Sequence, residues 1–373
     1  MLRVLLAITI FLISYLCSST SYLVPLGPVE PPYFRLQRHC QQEISKESTI
    51  GAAIAVVENG EIAFIKSFGF LKKNEPLLVN NDTVFQVGST SKPFSASLFA
   101  IALKQKLINL DTPVKLTTRG PQIVKARHIL SHTSGFSRNS WNFHIENSNI
   151  SRSQLLNLFS KKSQEIPGKI FDYHNVAFSL IEELLQNAFG MPFERAMEEK
   201  LLKPLDMART TIGFHKFKQQ SNRAWPHERS KNGKFSPSNE YSYRYHNLVA
   251  SSAGMNASIN DMAKFLKLQL GHFPQVINQN DLMLLHSPVC SAPDAVRWFR
   301  NRIKRDFSCH YGYGWRILIH GNEKIVFHGG WLKGFASLIA FSSTRNKGIV
   351  VLSNTESSFA FSTAIDFLMN TLI

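Results

Sequence analysis

Phe85-Gln86-Val87-Gly88-Ser89-Thr90-Ser91-Lys92-Pro93-Phe94 is the stretch on which the reading of this chain turns. An apolar, strand-like run stops at a glycine, a serine follows, and Pro93 stands in the first turn of a helix, where proline is tolerated. That helix runs on through Phe94, Ser97, Leu98, Ala100, Ile101, Ala102 and Leu103. Residues three apart share one face of a helical turn, so Ser89 and Lys92 lie within reach of each other. A serine hydroxyl becomes a useful nucleophile when a neighbouring base takes its proton, and a desolvated lysine is such a base. Four-residue patterns also arise by chance, so the meaning of this one depends on its company.

Outward toward the N-terminus, Gly51 to Val57 and Ile62 to Ser67 are β-rich runs joined through Glu58-Asn59-Gly60-Glu61, a hairpin signal. Toward the C-terminus, Tyr313 to Ile319, Ile325 to Phe327, Phe335 to Phe341 and Gly348 to Leu352 read as strands, and Ala360 to Leu372 as an apolar helix. Between these ends lie short helical patterns: Val124 to Ser131, Leu155 to Phe159, Val176 to Phe189 closed by Gly190, one from Met191-Pro192 to about Pro204, and Met262 to Leu270 behind the start signal Ser258-Ile259-Asn260-Asp261. Phe214 to Tyr245 lacks periodicity and reads as a long loop. The fold class is therefore α+β: one antiparallel sheet formed by N- and C-terminal segments, flanked by helices, with a mostly helical subdomain inserted at about residues 106–250.

The chain has 373 residues, of which 44% are hydrophobic, enough for a substantial core. Arg3, the apolar run Val4 to Leu16 and the small residues Ser18, Ser19 and Thr20 have the build of a signal peptide or N-terminal anchor over residues 1–21. Residues 22–47 then read as a proline-rich linker and a first helix around Arg38 to Ser45. An exported protein is expected, periplasmic, extracellular or anchored to the outer side of the cytoplasmic membrane, with no integral membrane domain beyond that anchor. Export permits a disulfide, and Cys290 with Cys309 is the natural pair; both remaining reduced is the alternative. The net charge of +16 suits anionic cell-envelope polymers as partners better than nucleic acid, for which no motif is present. Arg297, Arg300, Arg302, Lys304 and Arg305 form the densest basic cluster, read either as a docking surface or as a solvated helix face.

Two further motifs accompany Ser89-Thr90-Ser91-Lys92: Tyr173-His174-Asn175, and His328-Gly329-Gly330-Trp331 ahead of a strand. In this order and spacing they resemble the penicillin-recognising serine hydrolases, namely class C β-lactamases, D-alanyl-D-alanine carboxypeptidases and related esterases. Arg127 to Phe136, containing His132-Thr133-Ser134-Gly135, and Ala253 to Leu266 are similar to further segments of that family, so the resemblance covers residues 48–373. It implies catalysis without a metal or organic cofactor, on a substrate with an ester or amide carbonyl. Acyl transfer needs a nucleophile, a base, an acid and oxyanion donors. Ser89 would attack, Lys92 would take its proton, and Tyr173 would relay protons as phenol or phenolate. Asn175 would bond Lys92 and grip a substrate amide, and the oxyanion would meet the backbone N–H groups of Ser89 and Trp331. Gly329 and Gly330 would let the strand edge approach closely.

His328-Gly329-Gly330 departs from the Lys-Thr-Gly of class C β-lactamases. A histidine donates a hydrogen bond yet carries full charge only below its ordinary pKa of about 6.5, the threonine hydroxyl is missing, and Trp331 is expected to narrow the cleft or line it with an aromatic ring. These changes argue against an efficient β-lactamase and leave an ester, a D-amino-acid peptide and a β-lactam as substrate classes. The rival is a binding or scaffold protein of the cell envelope that kept the fold with little turnover. His128 and His132 are four apart, but Ile129 stands where a zinc peptidase carries glutamate, so both are read as structural. Trp141, Phe143, Trp225, Tyr241, Tyr243 and Tyr245 either line the cleft or pack their own loop.

Overall fold

Ala52, Ala53, Ile54, Ala55, Val56 and Val57 are small or β-branched, and every one is fully buried. A strand apolar on both faces needs cover on both sides. The computed structural model describes residues 33–115, 123–138, 141, 142, 145, 149–161, 165–238, 243–293 and 306–371. It places this run in β1 (Gly51–Glu58) of an eight-stranded antiparallel sheet. Leu36–Ile373 form one unit; of the preceding unit, Met1–Arg35, only the last three residues are described.

β1 turns at Asn59 and Gly60, both at positive φ (+52° and +82°), into β2 (Glu61–Gly69). Asn-Gly is the pair that populates such a turn. The other face of β1's ladder is taken by the far end of the chain: Ala52 pairs with Ser353 and Glu58 with Lys347 of β13 (Lys347–Ser353). The order is β2-β1-β13-β12-β11-β10-β9-β8, with β12 Phe335–Ser342, β11 Glu323–Leu332, β10 Arg316–His320, β9 Ser308–Tyr311 and β8 Cys290–Ser291. One antiparallel sheet is thus closed from both ends of the chain.

Helix α1 (Phe34–Ser45) precedes β1. Helix α2 (Ser91–Lys104) is buried from Ser91 to Ala102, as expected of a helix apolar all round. A helix α3 (Ile181–Phe189) ends at Gly190 with φ +64°, the left-handed cap glycine supplies. Helix α4 (Ile259–Gln269) starts where Ser258 Oγ accepts from the Asp261 N–H at 3.3 Å. Its Leu266 lies where a Cβ on Gly348 would stand, whereas Phe361 of the C-terminal helix α5 (Phe359–Thr371) lies where a Cβ on Gly329 would stand. Through the register Gly329–Leu338 and Phe341–Gly348, those two positions face opposite sides of the sheet. α4 and α5 therefore cover opposite faces. A small sheet of β3 (Phe85–Gln86), β7 (Met255–Ala257) and β4 (Thr211–Ile212) holds the segment leading to Ser89.

Three expectations change. Phe214 to Tyr245 is not one loop: it contains a helix Phe214–Lys218, a hairpin of β5 (His227–Arg229) and β6 (Phe235–Pro237), and the start of a helix Tyr243–Leu248. Elements of three to six residues are too short to show a period. β8 and β9 were unmarked because Cys290-Ser291 and Ser308 to Tyr311 are short and polar. Cys290 and Cys309 are free thiols: Cys290 pairs with Tyr311 across the ladder, while Ala292 bonds Cys309. The N-terminal segment 1–32 and the basic cluster Arg297–Arg305 lie outside the described residues. No helix among the described residues is long and apolar enough to cross a membrane.

Candidate active site

Ser89 is the middle residue of a one-turn 3-10 helix, Gly88–Thr90, that feeds α2. Gly88 sits at φ +54°, and a Cβ there would stand 3.0 Å from the Trp331 backbone nitrogen. Glycine is needed both for the conformation and for the close approach. The turn is pinned by side chains. Ser91 Oγ donates to the Gly88 carbonyl (2.6 Å) and accepts from the Met255 N–H (2.9 Å), and Ser337 Oγ donates to the Val87 carbonyl (2.7 Å).

The lysine three residues on is fully buried. Its Nζ lies 2.8 Å from Asn175 Oδ1, 3.0 Å from the Ser252 carbonyl and 3.2 Å from Ser89 Oγ. Burial, and then the charge of Arg316, push Lys92 well below the ordinary lysine value. In the uncharged form that burial favours, its two N–H donors would go to the two acceptor-only oxygens, and its lone pair would be left for the third neighbour, the Ser89 hydroxyl. That is the arrangement of a general base on a nucleophile.

Tyr173 is buried, with its ring centroid 4.7 Å from Lys92 Nζ, and its hydroxyl hydrogen-bonds Ser89. Burial raises its pKa, outweighing Arg316 and the Ser89 bond, so it stands as a phenol and serves as a proton donor or relay rather than a resting base. Asn175 opens a short helix, Asn175–Phe178, whose first turn is capped by His174 Nδ1 accepting from the Ala177 N–H at 3.2 Å. His174 is buried there, its ring against Trp141. The Asn175 carbonyl oxygen is occupied by Lys92, and its amide nitrogen has no hydrogen bond among the described residues, which leaves it free to donate to a substrate.

β10 begins at Arg316, opposite Phe327, so the edge of β11 from His328 onward is not paired by β10 and faces the Ser89 turn. His328, Gly330 and Leu332 alternate toward that turn; Gly329 and Trp331 face the other way. A Cβ on Gly330 would collide with the Val87 carbonyl and Ser337 Oγ, and one on Gly329 with the Phe361 ring of α5. Trp331 is therefore not the cleft-narrowing ring expected of it. Its indole packs at a tilt on Phe361, centroids 5.8 Å apart, its Nε1–H donates to Glu356 at 2.8 Å, and its backbone nitrogen stands against Gly88 of the Ser89 turn.

His328 also differs from its expected role. It is fully buried, with Nδ1 2.9 Å from the Gly329 carbonyl and Nε2 3.0 Å from the Tyr311 hydroxyl. A carbonyl only accepts, so the proton is on Nδ1 and Nε2 accepts from Tyr311. Burial, then Arg316 and Lys92, hold it well below the ordinary histidine value, hence neutral. Its two ring nitrogens are spent on the Gly329 carbonyl and the Tyr311 hydroxyl.

Arg316 escaped the sequence reading. Its guanidinium carbon lies 5.0 Å from the Tyr173 ring centroid and 5.6 Å from that of Tyr311, it is half-buried, and it has no ion-pair partner among the described residues. A signal existed: pairing the two adjacent predicted strands sets residue 316 opposite 327, beside His328.

No cluster of metal-ligating side chains occurs among the described residues. His128 Nδ1 accepts from the Lys125 N–H at 3.2 Å, a helix cap. Trp141 packs on Phe136, Phe159 and His174, and Trp225 Nε1–H donates to the Ser238 carbonyl at 3.0 Å. Phe143 and Tyr241, and the side chains of Tyr243 and Tyr245, lie outside the described residues.

The comparisons bear on the fold and the family. A solved structure described as the octameric penicillin-binding protein homologue from Pyrococcus abyssi superimposes with a TM-score of 0.79, covering 92% of this chain and 78% of its own, at 21% identity. Protein flp of Staphylococcus aureus is 24% identical over 336 residues, 86% of this chain; the chain spans 62% of that relative's length. A beta-lactamase of Escherichia coli is 24% identical over 349 residues, 83% of this chain and 85% of the relative. The sequence pattern of the Beta-lactamase family matches residues 36–370. With that match running from α1 to α5, and the serine–lysine–tyrosine cluster in its midst, the chain belongs to the Beta-lactamase family.

Proposed function

We propose that this protein is a serine hydrolase working through an acyl-enzyme on Ser89. The observation that carries this is the Lys92 environment: a fully buried Nζ 3.2 Å from Ser89 Oγ, with Asn175 Oδ1 and the Ser252 carbonyl as its other neighbours, where burial favours the uncharged amine. Ser89 Oγ attacks the substrate carbonyl while its proton passes to Lys92 Nζ. The oxyanion meets the backbone N–H groups of Ser89 and Trp331. The Tyr173 phenol donates its proton to the leaving group and is re-protonated through Lys92. Water then releases the acyl group by the reverse path. Asn175 Nδ2 orients the acyl chain.

The substrate class we favour is an ester, ahead of a D-amino-acid peptide and a β-lactam. His328 is neutral and turned to Tyr311, so the third motif offers a substrate no charged donor of the Lys-Thr-Gly kind. Action outside the cytoplasm, on or near anionic cell-envelope polymers, is the setting that the Arg3–Thr20 leader pattern and the net charge of +16 support. The test is a fluorophosphonate probe with peptide mass spectrometry, together with turnover of p-nitrophenyl esters. The label is expected on Ser89, and Lys92→Ala is expected to slow labelling by about 10²-fold or more. Labelling that survives Ser89→Ala would overturn the assignment.

A further inference from the structure

His132 sits in the turn His132-Thr133-Ser134-Gly135, which the serine–lysine–tyrosine chemistry leaves without a task. Its backbone is at φ +56°, a left-handed conformation costly for any residue with a Cβ. Strain of this kind persists where surrounding structure imposes it, and here the surroundings are the residues around Tyr173. The Asp172 N–H donates to the His132 carbonyl at 2.8 Å, and the His174 N–H donates to His132 Nδ1 at 3.1 Å. Between those two bonds, the imidazole lies against the Tyr173 ring, centroids 4.2 Å apart and planes tilted by 36°. The same turn straps the preceding loop, with the Gly168 N–H donating to the Thr133 carbonyl at 2.7 Å and the Glu165 N–H to the Gly135 carbonyl at 2.9 Å.

The tautomer follows. Nδ1 accepts from a backbone N–H, so the ring proton is on Nε2. Nε2 is buried and has no hydrogen bond among the described residues. The ring is enclosed by Phe171, Phe178 and Tyr311, with centroids 6.1, 5.3 and 4.9 Å away. An aromatic enclosure of this kind would be filled as well by phenylalanine, without the cost of an unpaired buried N–H. What phenylalanine lacks is the acceptor Nδ1.

We infer that His132 is a positioning residue for Tyr173, its carbonyl and Nδ1 gripping the backbone on either side of the tyrosine while its ring sets the tilt of the phenol toward Ser89. This rests on the acyl-enzyme reading above. Catalytic groups held about 1 Å out of place lose about 10²-fold in rate, so releasing one grip should reduce acylation strongly and leave substrate affinity alone.

The experiment measures fluorophosphonate labelling of Ser89 and p-nitrophenyl ester kinetics on three variants of the full chain, with folding followed by thermal melting. His132→Gly relaxes the left-handed backbone and removes the acceptor, and His132→Phe fills the enclosure and removes the acceptor. Each is expected to lose about 10- to 100-fold in kcat with KM little changed. His132→Asn tolerates positive φ and carries an oxygen that can replace Nδ1, and is expected to recover most of the rate. In a Tyr173→Phe background the His132 substitutions should cost less than about twofold more, since residues acting as a unit are not additive. A folded acceptor-free variant at wild-type rate, an asparagine variant as slow as these, or multiplicative losses with Tyr173→Phe would each overturn the His132 role while Ser89 labelling of the wild type stands. A wild-type protein that does not label at Ser89 would sink the acyl-enzyme reading itself, and the His132 role with it.

Discussion

Gly330→Ala tests the closest approach in the site. A Cβ at position 330 points at the nucleophile turn, where it would overlap the Val87 carbonyl oxygen and Ser337 Oγ and stand 3.0 Å from Thr90 Oγ1. Ordinary contact for a Cβ begins at 3.4 Å, so β11 has to retreat from the turn. The two groups proposed to bind the oxyanion, the N–H groups of Ser89 and Trp331, belong to the two sides of that gap. A retreat of about 1 Å should lower acylation by about 10²-fold, and the overpacking should cost about 1–3 kcal/mol of stability. Gly329→Ala is the matched control. Its Cβ meets the Phe361 ring on the opposite face of the same strand, so it should lower stability without a comparable loss of rate. The assay is probe labelling of Ser89 and ester turnover for both variants, beside their melting temperatures. A folded Gly330→Ala protein acylating at the wild-type rate would refute the oxyanion geometry, as would equal rate losses from both variants.

The Arg316 charge disfavours the ammonium form of Lys92, and in the proposed mechanism only the amine serves as the base. Removing it in Arg316→Gln lets Lys92 keep its proton to higher pH, so the acid limb of the kcat/KM profile should move up; a limb that stays or moves down contradicts the argument. Glu182 accepts from the Ser251 N–H (2.9 Å) and hydroxyl (2.8 Å), beside Lys92's acceptor Ser252, and burial raises its pKa from 4.5 to about 7 against the pull of Arg152. The stability of its protonated form is fully present below 4.5 and lost as pH rises through about 7. The melting temperature of wild type minus that of Glu182→Gln should therefore fall across that window, and a constant difference would count against the assignment. Trp331→Ala should leave ester kcat/KM near wild type while lowering the melting temperature, because the indole packs on Phe361; a large rate loss at unchanged stability would return the ring to the cleft.

The frame of the fold was legible wherever residues repeat a short-range rule. Asn59-Gly60 marked a turn whose two left-handed residues other pairs seldom supply, and the β-rich run before it read as a strand, which the structure buries on both faces. β8, β9 and the β5–β6 hairpin were not legible, because strands of two to four residues show too little alternation for the eye, and long-range pairing decides them. Ser89 and Lys92 were legible because their proximity needs only one helical turn. Tyr173 and Asn175 were reached only through the family resemblance, since 83 residues separate Lys92 from Asn175 and nothing local brings them together.

The third motif shows what separates naming a site from reading it. His328-Gly329-Gly330-Trp331 was read as a motif ahead of a strand, each residue serving the substrate, whereas it lies inside β11. A strand cannot do that: successive side chains point to opposite faces. Register settles which. Ser337, the partner of Gly330, bonds Thr90 Oγ1 at 2.7 Å, so the even-numbered positions face the nucleophile and the odd-numbered ones face α5. Trp331 therefore leaves the cleft, and His328 enters it only to meet Tyr311. The same alternation, carried one strand further, sets Arg316 at the open end of β10, where its charge reaches Lys92, Tyr173 and His328 together. The charge that the Lys-Thr-Gly pattern would carry within its own strand stands here on the neighbouring one. A cation placed there still biases the proton chemistry of the site, but it approaches a substrate from the Tyr173 and Tyr311 side, and that difference in direction is the physical ground for expecting the preferred substrate to differ as well.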